Sequence, residues 1–270
     1  MSPRTRRRRG TGQRVPVALL VPAALGLLFL VLPLGGLLLR TPWTSLGSRL
    51  TAPGVLTALR LSVQCATLAT LLCLALGVPL AWLLARVEFP GRRLVRALVT
   101  VPLVLPPVVG GVALLLVLGR RGPLGGWLDA TFGVTLPFTT TGVVLAEAFV
   151  AMPFLIIAVE GALRGADHRY EEAAATLGAG RWTTFTRVTL PLVAPGIAAG
   201  AVLCWARALG EFGATITFAG NYPGRTQTMP LAVYLALETD LEAAVVLSLV
   251  LLTVSVVILA GLRDRWITAP

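Results

Sequence analysis

The chain has 270 residues, 56% of them hydrophobic and only 13% charged, and its mean hydropathy is positive. That balance lies outside the range of soluble domains and points to a polytopic membrane protein. The formal net charge of +11 falls in short segments between apolar runs, which is a topology signal and argues against a nucleic-acid surface.

All 23 basic residues are Arg. Without Lys no G-x-x-x-x-G-K-[ST] phosphate loop can form, so any ATP that drives this protein must bind to another chain. Cys65, Cys73 and Cys204 sit in apolar segments and His168 stands alone. This gives neither a disulfide framework nor metal-ligand spacing; the thiols read as small buried packing residues, and no metal or cofactor is expected.

In chain order, residues 1–14 form a basic tail with Arg4, Arg6, Arg7, Arg8, Arg9 and Arg14. Residues 15–54 hold a first apolar span (17–39) and an outer loop. The sequence LLLRTPW offers no small-x-small cleavage site, so the span reads as an uncleaved helix. A second span lies within 55–84, and its first half carries Thr57, Arg60, Ser62, Gln64, Thr67 and Thr70. That half is expected to face protein or water. The third span, about 94–118, contains VPLVLPPVVGG. Pro102, Pro106 and Pro107 remove backbone donors, and Gly110 and Gly111 remove bulk. Two readings stay open, a kinked packing helix or a segment lining a pathway.

A fourth span (142–159) holds Glu147, with Glu160 at its end; a fifth runs over 196–212 and a sixth over 243–262. Residues 212–238 are only moderately apolar and read as an outer loop with short or re-entrant pieces. With the N-terminus inside, 16 Arg fall in inner segments and six in outer ones, and Arg207 lies within a span. The excess supports six spans with both ends cytoplasmic.

Residues 170–191, YEEAAATLGAGRWTTFTRVTLP, form a polar amphipathic island within one inner segment. Tyr170, Ala173, Ala174 and Leu177 fall on one helical face. Asp167 is placed to cap the helix, Glu171 and Glu172 suit its positive end, and Gly178 and Gly180 supply a turn. A second short helix would carry Trp182, Phe185 and Thr189 and close at Pro191. Within the fifth span, Arg207 and Glu211 are four residues apart and share a face. Each would cost about 2.5–3.5 kcal/mol unpaired at the bilayer centre, so mutual pairing is expected, as a lock between helices or as a transient partner for an anion.

Glu172-Ala173-Ala174, then Gly178, then Val188-Thr189-Leu190-Pro191, resembles the EAA loop of ABC importer permeases, with Val188 in place of Ile. FPGRRLVRALVTVPLVLPPVVGG, ARALGEFGATITFAGN and PGRTQTMPLAVY are similar to the molybdate permease branch, and the GEFGA part is shared with sulfate/thiosulfate permeases. The resemblance implies an all-α fold of about six transmembrane helices, with a permease domain over 55–263, a coupling loop over 161–195 and a cytoplasmic tail over 264–270. It implies a non-catalytic subunit importing molybdate, or tungstate, across the cell membrane by alternating access. Sulfate transport is the alternative, and a secondary transporter or channel the remoter one. The implied partners are ATP-binding cassette ATPase subunits, an extracytoplasmic oxyanion-binding protein, a second permease copy and membrane lipid, with no nucleic acid. Coupling falls on Glu172, Ala173, Ala174, Gly178, Leu190 and Pro191. The translocation pathway falls on Pro106, Pro107, Gly110, Arg207, Glu211 and Gly213.

Overall fold

A computed structural model describes residues 17–267, and no strand occurs among them. The basic tail at 1–14 and the last residues of the C-terminal tail lie outside the described residues. The chain divides into two compact units between Thr41 and Pro42. The first consists of α1 (Val17–Arg40), whose 24 residues extend about 36 Å, enough to cross a bilayer. Thr41 Oγ1 donates to the Leu37 carbonyl at 2.8 Å and closes its last turn.

The second unit begins with the short α2 (Leu46–Leu50) and the 34-residue α3 (Pro53–Arg86). There follow α4 (Arg92–Val104), α5 (Pro107–Leu118), α6 (Pro123–Phe132) and α7 (Thr140–Gly165). Next come α8 (Arg169–Thr176), α9 (Arg181–Thr184), α10 (Leu190–Leu209), α11 (Gly213–Phe218), α12 (Met229–Thr239) and α13 (Leu241–Ile267). Among the described residues five helices are long and apolar enough to cross a membrane, and six if the bent pair α4–α5 is one span. The all-α, roughly six-span architecture expected from the sequence is therefore present. Residues 212–238 form the short helices α11 and α12 with loops between them, as the weak hydropathy implied.

The centre of the second unit is α7, with 61% of its apolar stretch buried against 33% for α3. It packs between α3 and α10 through small side chains: Ala66, Ala69 and Cys73 from α3, Ala148 and Ala151 from α7, and Cys204 and Ala208 from α10. Such residues let helix backbones approach where lipid removes the usual hydrophobic driving force. The three thiols are free and buried, and Cys73 Sγ donates to the Ala148 carbonyl at 3.5 Å. The polar half of α3 faces protein in part: buried Ser62 Oγ accepts from the Met229 amide at 2.7 Å, and Thr67 Oγ1 accepts from Trp205 Nε1 at 3.2 Å.

Three sequence expectations need correction. The third span is not one helix: α4 and α5 meet at 117°. Leu105 and Pro106 are both extended (ψ 133° and 132°), because a residue before proline avoids the helical region and Pro106 itself precedes Pro107. Nor does Pro191 close a helix. Residues Phe185–Thr189 form a π turn that carries α9 into α10, and Arg181–Leu209 runs as one 29-residue helical stretch. The Leu190 amide bonds to the Phe185 carbonyl, five residues back, and this wider turn admits a proline that has no N–H to give. The fifth span accordingly begins well before residue 196 and stops at Leu209, where Gly210 ends the helix.

The tightest interhelical approach lies between α5 and α11. A Cβ on Gly111 would fall 1.7 Å from Thr217 Oγ1 and 2.8 Å from the Ala214 carbonyl, whereas one on Gly161 of α7 would meet nothing within 4 Å. Gly111→Ala is therefore expected to destabilise the protein by about 1–3 kcal/mol through overpacking. Gly161→Ala should be neutral or stabilising by up to about 1 kcal/mol. Thermal unfolding of the two variants in detergent checks the contrast.

Candidate functional site: a docking island and a paired helix break

The island lies at one end of the bundle. Asp167 caps α8 as the sequence suggested: its Oδ1 accepts from the Arg169 amide at 3.0 Å, and His168, between them, already has helical dihedrals (φ −61°, ψ −23°). Glu171 and Glu172 do sit in the first turn, where the helix dipole favours negative charge. The far end closes as a Schellman motif: the Ala179 amide bonds to the Ala174 carbonyl and the Gly178 amide to that of Ala175, both at 3.0 Å. Gly178 has φ +84° with nothing within 4 Å of an added Cβ, so conformation and not crowding demands glycine here. An L-residue in this region costs about 1–2 kcal/mol.

Of the apolar face read from the sequence, Tyr170 (59%) and Leu177 (88%) are exposed, and Trp182 (76%) on α9 joins them. Glu172, Ala173 and Gly178 are exposed, Ala174 and Leu190 are half-buried, and Pro191 is exposed at the start of α10. The described chain covers little of this surface.

Glu171 turns the other way. One of its carboxylate oxygens, Oε1, accepts from Thr189 Oγ1 at 2.9 Å and from Arg86 Nη2, at the end of α3, at 3.0 Å. The His168 ring contacts the same guanidinium. Neighbouring arginines tie the helix ends together. Arg92 Nε donates to the Leu84 carbonyl at 2.8 Å, and Glu160 Oε1 accepts from Arg96 at 2.6 Å and Arg164 at 2.7 Å. The arginines that marked topology in the sequence thus also cap α3 and join α4 to α7. Arg86 and Glu171 were missed as partners, since a separation of 85 positions leaves no spacing signal.

The second constellation is the pair of helix breaks. Pro107 and Gly213 are brought together: a Cβ on Gly213 would lie 2.9 Å from Pro107 Cβ, so α5 and α11 start against each other. Gly110 packs under the Phe149 ring of α7, and Pro106 is exposed at the bend. Gly111, not Gly110, makes the closer approach. Arg207 Nη2 lies 2.6 Å from Glu211 Oε2, with side-chain exposures of 26% and 1%, so the predicted intramembrane pair is formed. It is local, however, and does not join two spans. Glu211 lies beyond the end of α10, and its Oε1 accepts from the Ala214 amide at 2.8 Å, so the carboxylate ties the end of α10 to the first turn of α11. The approach to Arg207 is a charge contact without hydrogen-bond geometry, since Glu211 Oε2 has no such donor among the described residues. On α7, buried Glu147 also has an oxygen, Oε2, without a hydrogen-bond partner, and the sequence assigned it no role.

At the opposite end of the bundle, Arg49 of α2 clasps Asp240 at 2.7 Å and Glu242 at 2.8 Å. The hydrogen bond from Arg49 holds the Asp240 carboxyl below its usual range, so this exposed clasp is complete above that range and is lost as pH falls through the lowered value. Among the described residues no group of three or more His, Cys, Asp or Glu could hold a metal ion.

Helices broken inside an apolar bundle, around a polar helix–turn–helix at one end, define a transporter transmembrane domain. The family profile described as "Binding-protein-dependent transport system inner membrane component" matches residues 77–269, and the chain belongs to that family. It is 49% identical over 245 residues to the molybdenum transport system permease protein ModB of Mycobacterium tuberculosis, covering 91% of this chain and 92% of that one. It is 45% identical over 210 residues to ModB of Escherichia coli (78% and 92% covered). The sulfate transport system permease protein CysT of Escherichia coli is 37% identical over 240 residues (87% and 86% covered). A solved bacterial ABC transporter that imports the acidic polysaccharide alginate shares the fold at TM-score 0.76 and 20% identity, covering 94% of this chain and 96% of that one. A bacterial alginate ABC transporter in complex with an alginate pentasaccharide-bound periplasmic protein gives TM-score 0.75 at 20% identity, with 92% of each chain covered.

Removing the guanidinium while leaving the buried carboxylate is the harsher way to break the Arg207–Glu211 pair. Arg207→Gln is expected to lower stability by about 3 kcal/mol. Glu211→Gln, which keeps an oxygen for the Ala214 amide, should lower it by about half as much or less. Denaturation midpoints of the two purified variants give the order, and an equal loss would count against the pair.

Proposed function

We propose that this chain is the membrane-spanning permease subunit of an ATP-driven importer that carries molybdate across the cell membrane, and that its island is the docking surface for a separate ATPase subunit. The cargo reading rests on similarity to ModB proteins over most of the chain, stronger than that to the sulfate permease. The observation that carries the docking reading is the island itself. An eight-residue helix closed by a Schellman turn leaves Tyr170, Leu177 and Trp182 uncovered beside an exposed Glu172, at an end otherwise cross-linked by arginines. Large apolar side chains left exposed on one short segment, beside charged ones, suit a protein contact.

The arginine excess supports a cytoplasmic position for the island and both termini. Two copies would pair with two ATPase subunits, and an extracytoplasmic binding protein would deliver the anion at the opposite end. ATP binding to the ATPase favours one arrangement of the bundle over the other, which is all that alternating access requires of it. Through the island this bias reaches α7 and α10, which flank it in the chain. The contact of α5 with α11, with Pro106, Pro107, Gly110 and Gly213 at its breaks, is the part of the bundle that opens. Arg207, in the last turn of α10 just before the second break, serves the passing dianion as a transient partner. Molybdate and tungstate are near-isosteric tetrahedral oxyanions, and nothing in this arrangement separates them.

Reconstitution with the ATPase and binding protein tests the cargo. Molybdate-loaded binding protein should stimulate ATP hydrolysis, and stimulation by sulfate-loaded protein alone would transfer the assignment to sulfate. The docking role makes a separate prediction. Gly178→Val should reach the membrane normally yet lose most molybdate uptake per ATP hydrolysed, because a β-branched residue resists φ +84° and reshapes the turn. Uptake at the wild-type ratio would remove the island from the coupling route.

A further inference from the structure

We propose that Arg86 and Glu171 form a joint that makes α3 follow the island, so that the two successive acids of α8 divide the work: Glu172 faces the ATPase and Glu171 holds the chain's own second span. The inference rests on the docking role proposed above and concerns how motion passes inward from it.

The island has covalent routes to only two spans. α8 follows α7 after three residues, and α9 runs through the π turn into α10. No chain connection leads to α3, which ends at Arg86, yet α3 packs along both α7 and α10 in the main core. A rigid shift of the island would otherwise shear α7 and α10 past α3.

Side chains bridge that gap. Arg86 Nη2 lies 3.0 Å from Glu171 Oε1, with side-chain exposures of only 6% and 21%, so the pair is largely withdrawn from water and salt. The same oxygen accepts from Thr189 Oγ1 at 2.9 Å. One carboxylate thereby touches α3, α8 and the π turn leading into α10. One turn back on α3, Trp82 meets Phe185 of the π turn edge to face, with centroids 5.8 Å apart. Around these contacts a cleft of about 440 Å³ remains, lined in part by Trp82, Arg86, Glu171 and Arg181. The His168 ring also touches the Arg86 guanidinium, so the joint is three discrete contacts beside open space, an arrangement able to pivot where a packed interface would not. A carboxylate with several donors also fixes direction as well as distance.

The experiment uses the assembled transporter with its ATPase and binding protein. It compares Arg86→Gln, Glu171→Gln and the double variant by ATPase co-purification, thermal midpoint and molybdate imported per ATP hydrolysed. The joint predicts that each single variant keeps the ATPase bound but loses about tenfold in that ratio, and that the double variant loses no more than either single one. Full coupling in either single variant, or losses that multiply in the double, would overturn it. Should a glutamine variant lose the ATPase, the exchange of Arg86→Glu with Glu171→Arg decides: restored coupling supports the joint, and failure to restore it refutes the joint. Failure of the docking reading looks different, since the ATPase would then not co-purify with the wild-type chain.

Discussion

Inside lipid, a backbone group that loses its helical partner has no water to turn to, and this constraint organises the bundle. Among the described residues the chain breaks its helices within apolar stretches at Leu105–Pro106 and at Gly210–Phe212. Both breaks are set against protein. Gly213 lies on Pro107, Gly111 lies on Thr217, and Glu211 accepts from the Ala214 amide at the start of α11. α5 and α11 start where they do against each other. The glycines serve contact distance here, whereas at Gly178 glycine serves a backbone angle.

The island solves a different problem. A surface helix of eight residues has little stability of its own. It is held by a Schellman turn at one end, by Glu171 in its first turn, and by the continuous helix through the π turn into α10. The π turn matters because it accommodates Pro191, which has no N–H to give, just where α9 runs on into α10. With five-residue bonding the helix passes Pro191 intact, and the island becomes the end of a transmembrane helix. A docking partner would thus act on a lever built into the bundle, with the exposed Tyr170, Leu177 and Trp182 as its handle.

Cargo identity sits on another footing. Arg207 is positive, Glu211 and Glu147 are negative, and a single guanidinium would suit any small dianion. Relatives named for molybdenum and for sulfate both align over most of the chain, and it is the degree of likeness that favours molybdate. A tetrahedral oxyanion offers few features to distinguish beyond size, so discrimination fits better in the binding protein than among these few charges.

The sequence by itself determined the all-α class, the approximate number of spans, the island and the lack of a Lys-bearing phosphate loop. These depend on local composition, on helical period and on a residue type that is absent. The Arg207–Glu211 pair was legible for the same reason, because four residues is one helical turn. Pro191 and the 94–118 span were misread because proline weakens a helix in every context, while the outcome depends on what surrounds it. A π turn rescued the first, and a facing helix break accepted the second. The close approach at Gly111 and the Arg86–Glu171 contact were decided only by the tertiary structure. Each joins residues about a hundred positions apart, where no periodicity survives and packing alone sets the partner.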